Sequence, residues 1–312
     1  MDLPLESELK FGFQTRMGTP DLVRDAVKLA EQFGYSTISL GDHLAFAVPI
    51  LDPLTQLAAA AALTRKVTMM PAVYLLPLRH PGPVAKQVAT LDHLTEGRFI
   101  FGVGVGGEFK TDFDVAGVPH NERGPRLSES IEVLRKLWTG EKVSHQGRFF
   151  SFSDIQMLPK PVQPGGPPIW CGGRSDAALQ RIARLTDGWI SYVVTADMYR
   201  AGLEKIARFA DEAGRKLTHF GTAHLLFARM GKTREEALDT AARHLSVRYA
   251  MDFRKATERY CALGRPSDVA AQVDAYRRAG VRHVVLDMIG EPSEQAGQLQ
   301  QFAEEVIPLL KA

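Results

Sequence analysis

Residues 66–108, KVTMMPAVYLLPLRHPGPVAKQVATLDHLTEGRFIFGVGVGGE, constrain the fold more than any other stretch of the chain. The run 67–76 is apolar, rich in β-branched and aromatic residues and bounded by Pro77, the pattern of a buried strand. Residues 78–83 break it. Val84, Val88, Leu91 and Leu94 then recur at helical spacing, Gly97 stands where a helix would stop, and 98–105 reads as the next strand. A crossover of this kind makes the two strands parallel with a right-handed connection, and parallel sheets carry their chemistry at the carboxyl ends of the strands. Here that end holds Gly104, Gly106, Gly107 and Glu108.

The same alternation runs along the chain. Strands are expected at 11–15, 37–40, 169–172, 189–194, 223–230 and 283–289, besides the two in the opening unit. Helices are expected at 21–34, 53–63, 84–97, 125–138, 176–185, 198–213, 235–263 and 267 onward, and again at the C-terminus. Asp52 is placed to cap the second helix, with Pro53 at its first position. Residues 109–124 read as a polar loop. Residues 141–167, with HQGRFFSF and LPKPVQPGGPP, break the rhythm and read as an insertion carrying a hairpin. Eight strands and eight or more helices in 312 residues, 45% of them hydrophobic, predict one α/β domain over 1–312. The expected fold is a (β/α)8 TIM barrel with an insertion after the fourth βα unit.

Composition excludes other classes. A net charge of +2 with no basic block argues against nucleic acid, and no apolar run approaches the roughly 20 residues of a membrane helix. Cys171 and Cys261 are too few for a disulfide framework and no cysteine spacing suits a metal. The opening MDLPLESELK lacks an apolar signal region, so a cytoplasmic location is expected.

Four strand ends are candidates for chemistry. His43, after the second strand, could move a proton near neutral pH, and Asp42 beside it could orient it; a loop histidine next to a capping aspartate reads as well. Gly102, Gly104 and Gly107 match G-x-G-x-x-G formally, yet no apolar helix follows, so the glycines read either as room for a flat ring with Glu108 at its edge or as close strand packing. Gly172, Gly173, Arg174 and Ser175 run from a strand into a helix N-terminus, which suits a phosphate or is simply a turn capped by Ser175. Ala72 and Val73 follow Pro71, whose missing N–H predicts a bulge or a late strand start.

Together the run 76–108, the run PPIWCGGRSDAALQRIARLTDGWI and the GDHL after the second strand resemble the bacterial luciferase-like oxidoreductases over nearly the whole chain. That resemblance implies a barrel binding the deazaflavin coenzyme F-420 or FMN at its carboxyl face. It implies that His43 lies beside the reactive ring carbon and that Glu108 handles a proton. Ala72 and Val73 would form a bulge, often with a non-prolyl cis peptide, behind the ring. Gly172, Gly173, Arg174 and Ser175 would take the cofactor phosphate, with Asp42, Gly106 and Gly107 also on the cofactor. The single GDH and the GGE lean toward F-420 and hydride transfer to or from an alcohol, carbonyl or activated double bond of a small organic substrate. The FMN alternative is a monooxygenase using reduced flavin and oxygen, served by a separate reductase. The resemblance further implies a homodimer. A non-catalytic flavin-binding barrel and a flavin-free phosphate-binding barrel enzyme rank lower, the latter because Lys66 lies at the wrong end of its strand.

Overall fold

A computed structural model describes residues 3–107 and 109–311. Its strands are β1 (Lys10–Gln14), β2 (Thr37–Leu40), β3 (Thr68–Pro71), β4 (Phe101–Val103), β5 (Ile169–Gly172), β6 (Gly188–Tyr192), β7 (Gly221–Met230) and β8 (His283–Met288). They pair in parallel in the order β3-β2-β1-β8-β7-β6-β5-β4. Two isolated bridges, Met69 with Phe99 and Tyr74 with Val103, join β3 to β4 and close the ring. The fold is a (β/α)8 barrel.

Side-chain alternation divides the core into two. Met70, Trp170, Ile190, Leu225 and Val285 pack together inside the ring, while Met69, Phe101, Ile169, Leu226 and Val284 face the helices. Trp170 fills the space left by two glycines, since a Cβ on Gly188 or Gly221 would lie 2.5 or 2.2 Å from its ring. Helices begin where short polar side chains cap them. Thr19 accepts from Leu22 N at the start of Pro20–Phe33, whose buried Val23, Ala26, Val27 and Ala30 form the inward stripe. Asp52 accepts from Thr55 N at 2.9 Å to open Pro53–Ala61.

Three expectations are corrected. β3 stops at Pro71 instead of running to 76, because Pro71 has no N–H to carry the ladder on; the Ala72–Val73 peptide that follows is cis. The stretch 109–124 is not a plain loop: Lys110–Ala116 is helical, with Asp112 and Phe113 buried, and His120–Glu122 is a 3-10 turn. The helical stretch 235–263, for which a break is allowed, is broken into Arg234–Tyr249 and Arg254–Tyr260, and it ends before 263, where a short strand, Ala262–Gly264, pairs with β7.

Between the helix Arg123–Leu137 and β5, strands Lys142–Gln146 and Ser151–Gln156 form an antiparallel hairpin. Its turn is held by one carboxylate. Glu129 accepts from Arg148 N at 3.1 Å, Phe149 N at 3.0 Å and Phe150 N at 2.8 Å. Burial pushes the Glu129 carboxyl up, but these N–H groups and His145 outweigh it and hold the group below its usual range.

Five residue steps separate Met69, on β3, from Tyr74 beyond its end, whereas four separate their partners Phe99 and Val103. The extra residue is a bulge, and it falls where the cis Ala72–Val73 peptide lies. The bulge is accommodated by glycine on β4. A Cβ on Gly102 would lie 2.0 Å from the Pro71 carbonyl oxygen, and one on Gly104 would lie 2.3 Å from a Val73 methyl. Close strand packing therefore claims Gly102 and Gly104, not room for a ring.

Candidate active site

The carboxyl ends of β2, β3, β4 and β5 converge on one side of the barrel mouth. Asp42 leaves β2 pointing inward and is 2% exposed. Its Oδ2 accepts from Leu75 N at 2.8 Å, and its Oδ1 accepts from Arg79 Nη2 at 2.8 Å. Burial raises the Asp42 carboxyl above its usual range against the pull of Arg79, whose guanidinium also lies 4.4 Å over the Tyr74 ring. Both oxygens are spent inside the protein. Asp42 anchors the segment that follows the β3 bulge, and is not a carboxylate free to meet a ligand.

His43 turns the other way. Its Nδ1 lies 2.8 Å from Asp112 Oδ2, and its side chain is 18% exposed. Asp112, in the short helix after β4, also accepts from Leu44 N at 2.7 Å and Ala45 N at 2.8 Å through Oδ1. The carboxylate thus fixes the loop and the ring together. A carboxylate at Nδ1 selects the tautomer in which Nδ1 carries the proton, so Nε2 is the basic nitrogen. Phe46 stacks on the imidazole at 4.0 Å with the planes 4° apart, and Phe109 meets its edge at 5.5 Å. Two phenyl rings and one carboxylate hold the imidazole in a single orientation.

At the bulge, Ala72 N donates to Leu40 O at 2.8 Å, and the Val73 side chain lies across Gly104 and 3.3 Å from the position of a Cβ on Gly172. The cis peptide therefore sits where β3, β4 and β5 meet. Gly106 and Gly107 follow with φ of 64° and 125°, a left-handed backbone that suits glycine, and they carry the chain past Leu75 and Arg123. Glu108 lies outside the described residues.

The end of β5 is a separate turn. Gly173 has φ 130°, and its carbonyl accepts from Trp189 Nε1 at 2.8 Å. Ser175 caps the helix Asp176–Leu185 by accepting from Ala178 N at 3.3 Å. Arg174 is exposed, with Nη1 donating to Val193 O at 2.9 Å. The first N–H groups of the helix have no intrahelical acceptor, and its dipole adds positive potential there. Among the described residues, Arg174 and the nearby Arg123 and Arg181 have no carboxylate within ion-pair distance. Gly172 and Gly173 fit closely here, since a Cβ on Gly172 would lie 3.3 Å from a Val73 methyl and one on Gly173 would lie 2.6 Å from Ala178 Cβ.

The family model described as luciferase-like monooxygenase matches residues 10–306. The chain belongs to the luciferase-like monooxygenase family. An F-420-dependent glucose-6-phosphate dehydrogenase of Nakamurella multipartita is 27% identical to this luciferase-like chain over 335 aligned positions, covering 97% of each. Among solved structures, an F-420-dependent secondary alcohol dehydrogenase in complex with an F-420–acetone adduct superposes with a TM-score of 0.84 at 18% identity, covering 98% of this chain and 100% of that one. A monooxygenase from Streptomyces bottropensis superposes with a TM-score of 0.81 at 24% identity, covering 96% and 99%. Both structural matches bear on the fold alone.

Within this luciferase-like barrel, sequence reading did not find Asp112, which lies 69 positions from His43. The signal was Phe109 and Phe113 at helical spacing inside a stretch taken for a loop. It assigned the orienting role to Asp42, the neighbour in sequence. The chain turns between them, so adjacent side chains point apart.

Proposed function

We propose that the chain catalyses hydride transfer between coenzyme F-420 and an alcohol, carbonyl or activated double bond of a small organic substrate, with His43 as the proton-transfer group. The family makes it an F-420- or FMN-dependent oxidoreductase. The observation that carries the proposal is the His43–Asp112 pair at the barrel mouth, which leaves Nε2 as the basic nitrogen. The residues fit a phosphorylated, ring-bearing cofactor. The turn Gly172–Ser175 with Arg174 offers N–H groups and charge to a phosphate, and Ala72 and Val73, with Gly106 and Gly107, border the space for the ring.

A bound deazaflavin supplies a hydride acceptor or donor and does not activate oxygen. In the oxidative direction, His43 Nε2 takes the proton of the substrate hydroxyl as the carbinol carbon gives up its hydride; in reverse it returns that proton to the carbonyl oxygen. Asp112 keeps Nδ1 protonated throughout and stabilises the imidazolium that forms. Phe46 and Phe109 screen the ring from water. With FMN in the same phosphate turn, the alternative is a monooxygenase drawing reduced flavin from a separate reductase. The GDH motif, in place of a histidine pair, favours F-420.

The test is to measure dissociation constants for F-420 and FMN on the purified chain and to assay the tight complex for hydride exchange. Micromolar or tighter F-420 binding with none for FMN supports the proposal, and the reverse overturns it. His43→Ala is expected to lower kcat by about 10²–10⁴-fold while cofactor affinity stays within a few-fold.

A further inference from the structure

Strands β8, β1 and β2 carry a polar group into the barrel that proton transfer at His43 does not use. Phe13, Leu286 and Ile38 face the helices, so alternation turns Gln14, Asp287 and Ser39 inward. The register sets them side by side, since Phe13 pairs with Leu286 and Gln14 pairs with Ser39. All three stand at the carboxyl ends of their strands, level with the mouth.

Asp287 is committed within the protein. Its Oδ2 accepts from Arg248 Nη1 at 2.7 Å and from Gln14 Nε2 at 3.3 Å, and the residue is 4% exposed. The carboxylate also fixes the Gln14 amide, because the flipped amide would set oxygen against oxygen. Gln14 Oε1 is therefore turned from Asp287, and it is buried with no hydrogen-bond partner among the described residues. Ser39 Oγ, on a fully buried side chain, has none either. Two unmet polar atoms on neighbouring strands are costly, and one group satisfies both if it donates to Gln14 Oε1 and accepts from the Ser39 hydroxyl. A hydroxyl does so. A carboxylate or phosphate would bring lone pairs to an acceptor, and an ammonium would find the Asp287 charge already met by Arg248.

The amide is held and has space beside it. Gln14 O accepts from Gln295 Nε2 at 3.0 Å, and the Thr15 hydroxyl donates to Gln295 Oε1 at 3.0 Å. A Cβ on Gly41 would have Gln14 Nε2 as its nearest atom, at 3.8 Å, so no side chain crowds the amide there. Gly41 lies two residues before His43, and Gln14 is only half-buried, so the amide borders the mouth next to the His43 loop.

We propose that the substrate carries a second, uncharged hydroxyl besides the one that reacts, and that Gln14 and Ser39 bind it, positioning the carbinol carbon at His43. The proposal rests on the reading of His43 as the proton-transfer group, and its test separates the two. Saturation-transfer NMR of the full chain, with and without F-420, compares isopropanol, propylene glycol and glycerol, which share three carbons and a secondary carbinol. The second hydroxyl is expected to tighten binding about 10-fold or more, and Gln14→Met and Ser39→Ala each to remove most of that gain. The same order is expected in kcat/KM for hydride transfer in the F-420 complex. Ser39→Ala takes away an unpaired buried hydroxyl and is expected to keep the melting temperature, so it carries the test even if Gln14→Met, which also loses a bond to Asp287, folds poorly. Equal binding of the three alcohols, or a preference unchanged in Ser39→Ala, overturns the proposal; water would then be what meets Gln14. A preference that depends on Gln14 and Ser39, with no turnover of any of the alcohols, keeps this site and removes the role given to His43.

Discussion

Asparagine in place of Asp112 would keep one oxygen for the Leu44 and Ala45 N–H groups, but would turn an amide N–H toward His43 Nδ1. The imidazole would then carry its proton on Nε2, the nitrogen required as base. Asp112→Asn is therefore expected to lower kcat by up to about 10⁴-fold, the scale of the same exchange in the serine-protease triad, with little change in F-420 affinity. Steady-state kinetics beside fluorescence titration of the cofactor would check it, and a fall in affinity as large as the fall in kcat would remove the tautomer argument. At this scale His43 was legible in the sequence, because a histidine at a strand end is recognisable chemistry. Asp112 was not, since its meaning depends on a side chain 69 positions away. Asp42 was legible and misassigned: adjacency in sequence says nothing about which way two side chains leave a turning backbone.

Single contacts set the geometry of the bulge and of the hairpin. Gly104→Ala would drive a methyl to within 2.3 Å of Val73, a cost of about 1–3 kcal/mol for overpacking. Val73→Ala in the same chain should recover most of that loss, a coupling readable from urea unfolding of the two single variants and the double one. In the hairpin, Glu129→Ala deprives three turn N–H groups of their acceptor and should cost about 1–3 kcal/mol at neutral pH. Because the Glu129 pKa is lowered in the folded chain, its contribution is complete above its ordinary value of 4.5 and fades as pH falls through the lowered one. The gap between wild type and Glu129→Ala in urea midpoint should shrink in acid. The helices and β1, β2 and β5 to β8 could be read from periodicity, since each buries a face that repeats in sequence. The helix Lys110–Ala116 could not, being polar except where Phe113 packs on Leu75 and Leu78.

For the whole molecule, F-420 at one hundred times its dissociation constant should raise stability by about 2.7 kcal/mol and the melting temperature by about 4 °C. Gly173 is a poor place to probe the phosphate turn, since its φ of 130° and the 2.6 Å approach of any Cβ to Ala178 would disturb folding itself. Arg174→Glu, at an exposed side chain that touches a carbonyl and the Tyr192 ring, should fold normally and abolish most of the thermal shift. A full shift in that variant would place the phosphate elsewhere. The count of strands made the barrel legible; its closure was not, because strand pairing across β3 and β4 leaves no periodic trace.

That closure consists of two bridges on either side of a bulge. A barrel escapes aggregation by having no strand edges, and this one comes nearest to having them at the wall beside the cis peptide. Amides flanking this join should therefore exchange with solvent ahead of those in the β8–β7 pairing. A cofactor resting against the join would act as its clasp, so holding the ligand would also be what shields the chain from edge-to-edge association with other molecules.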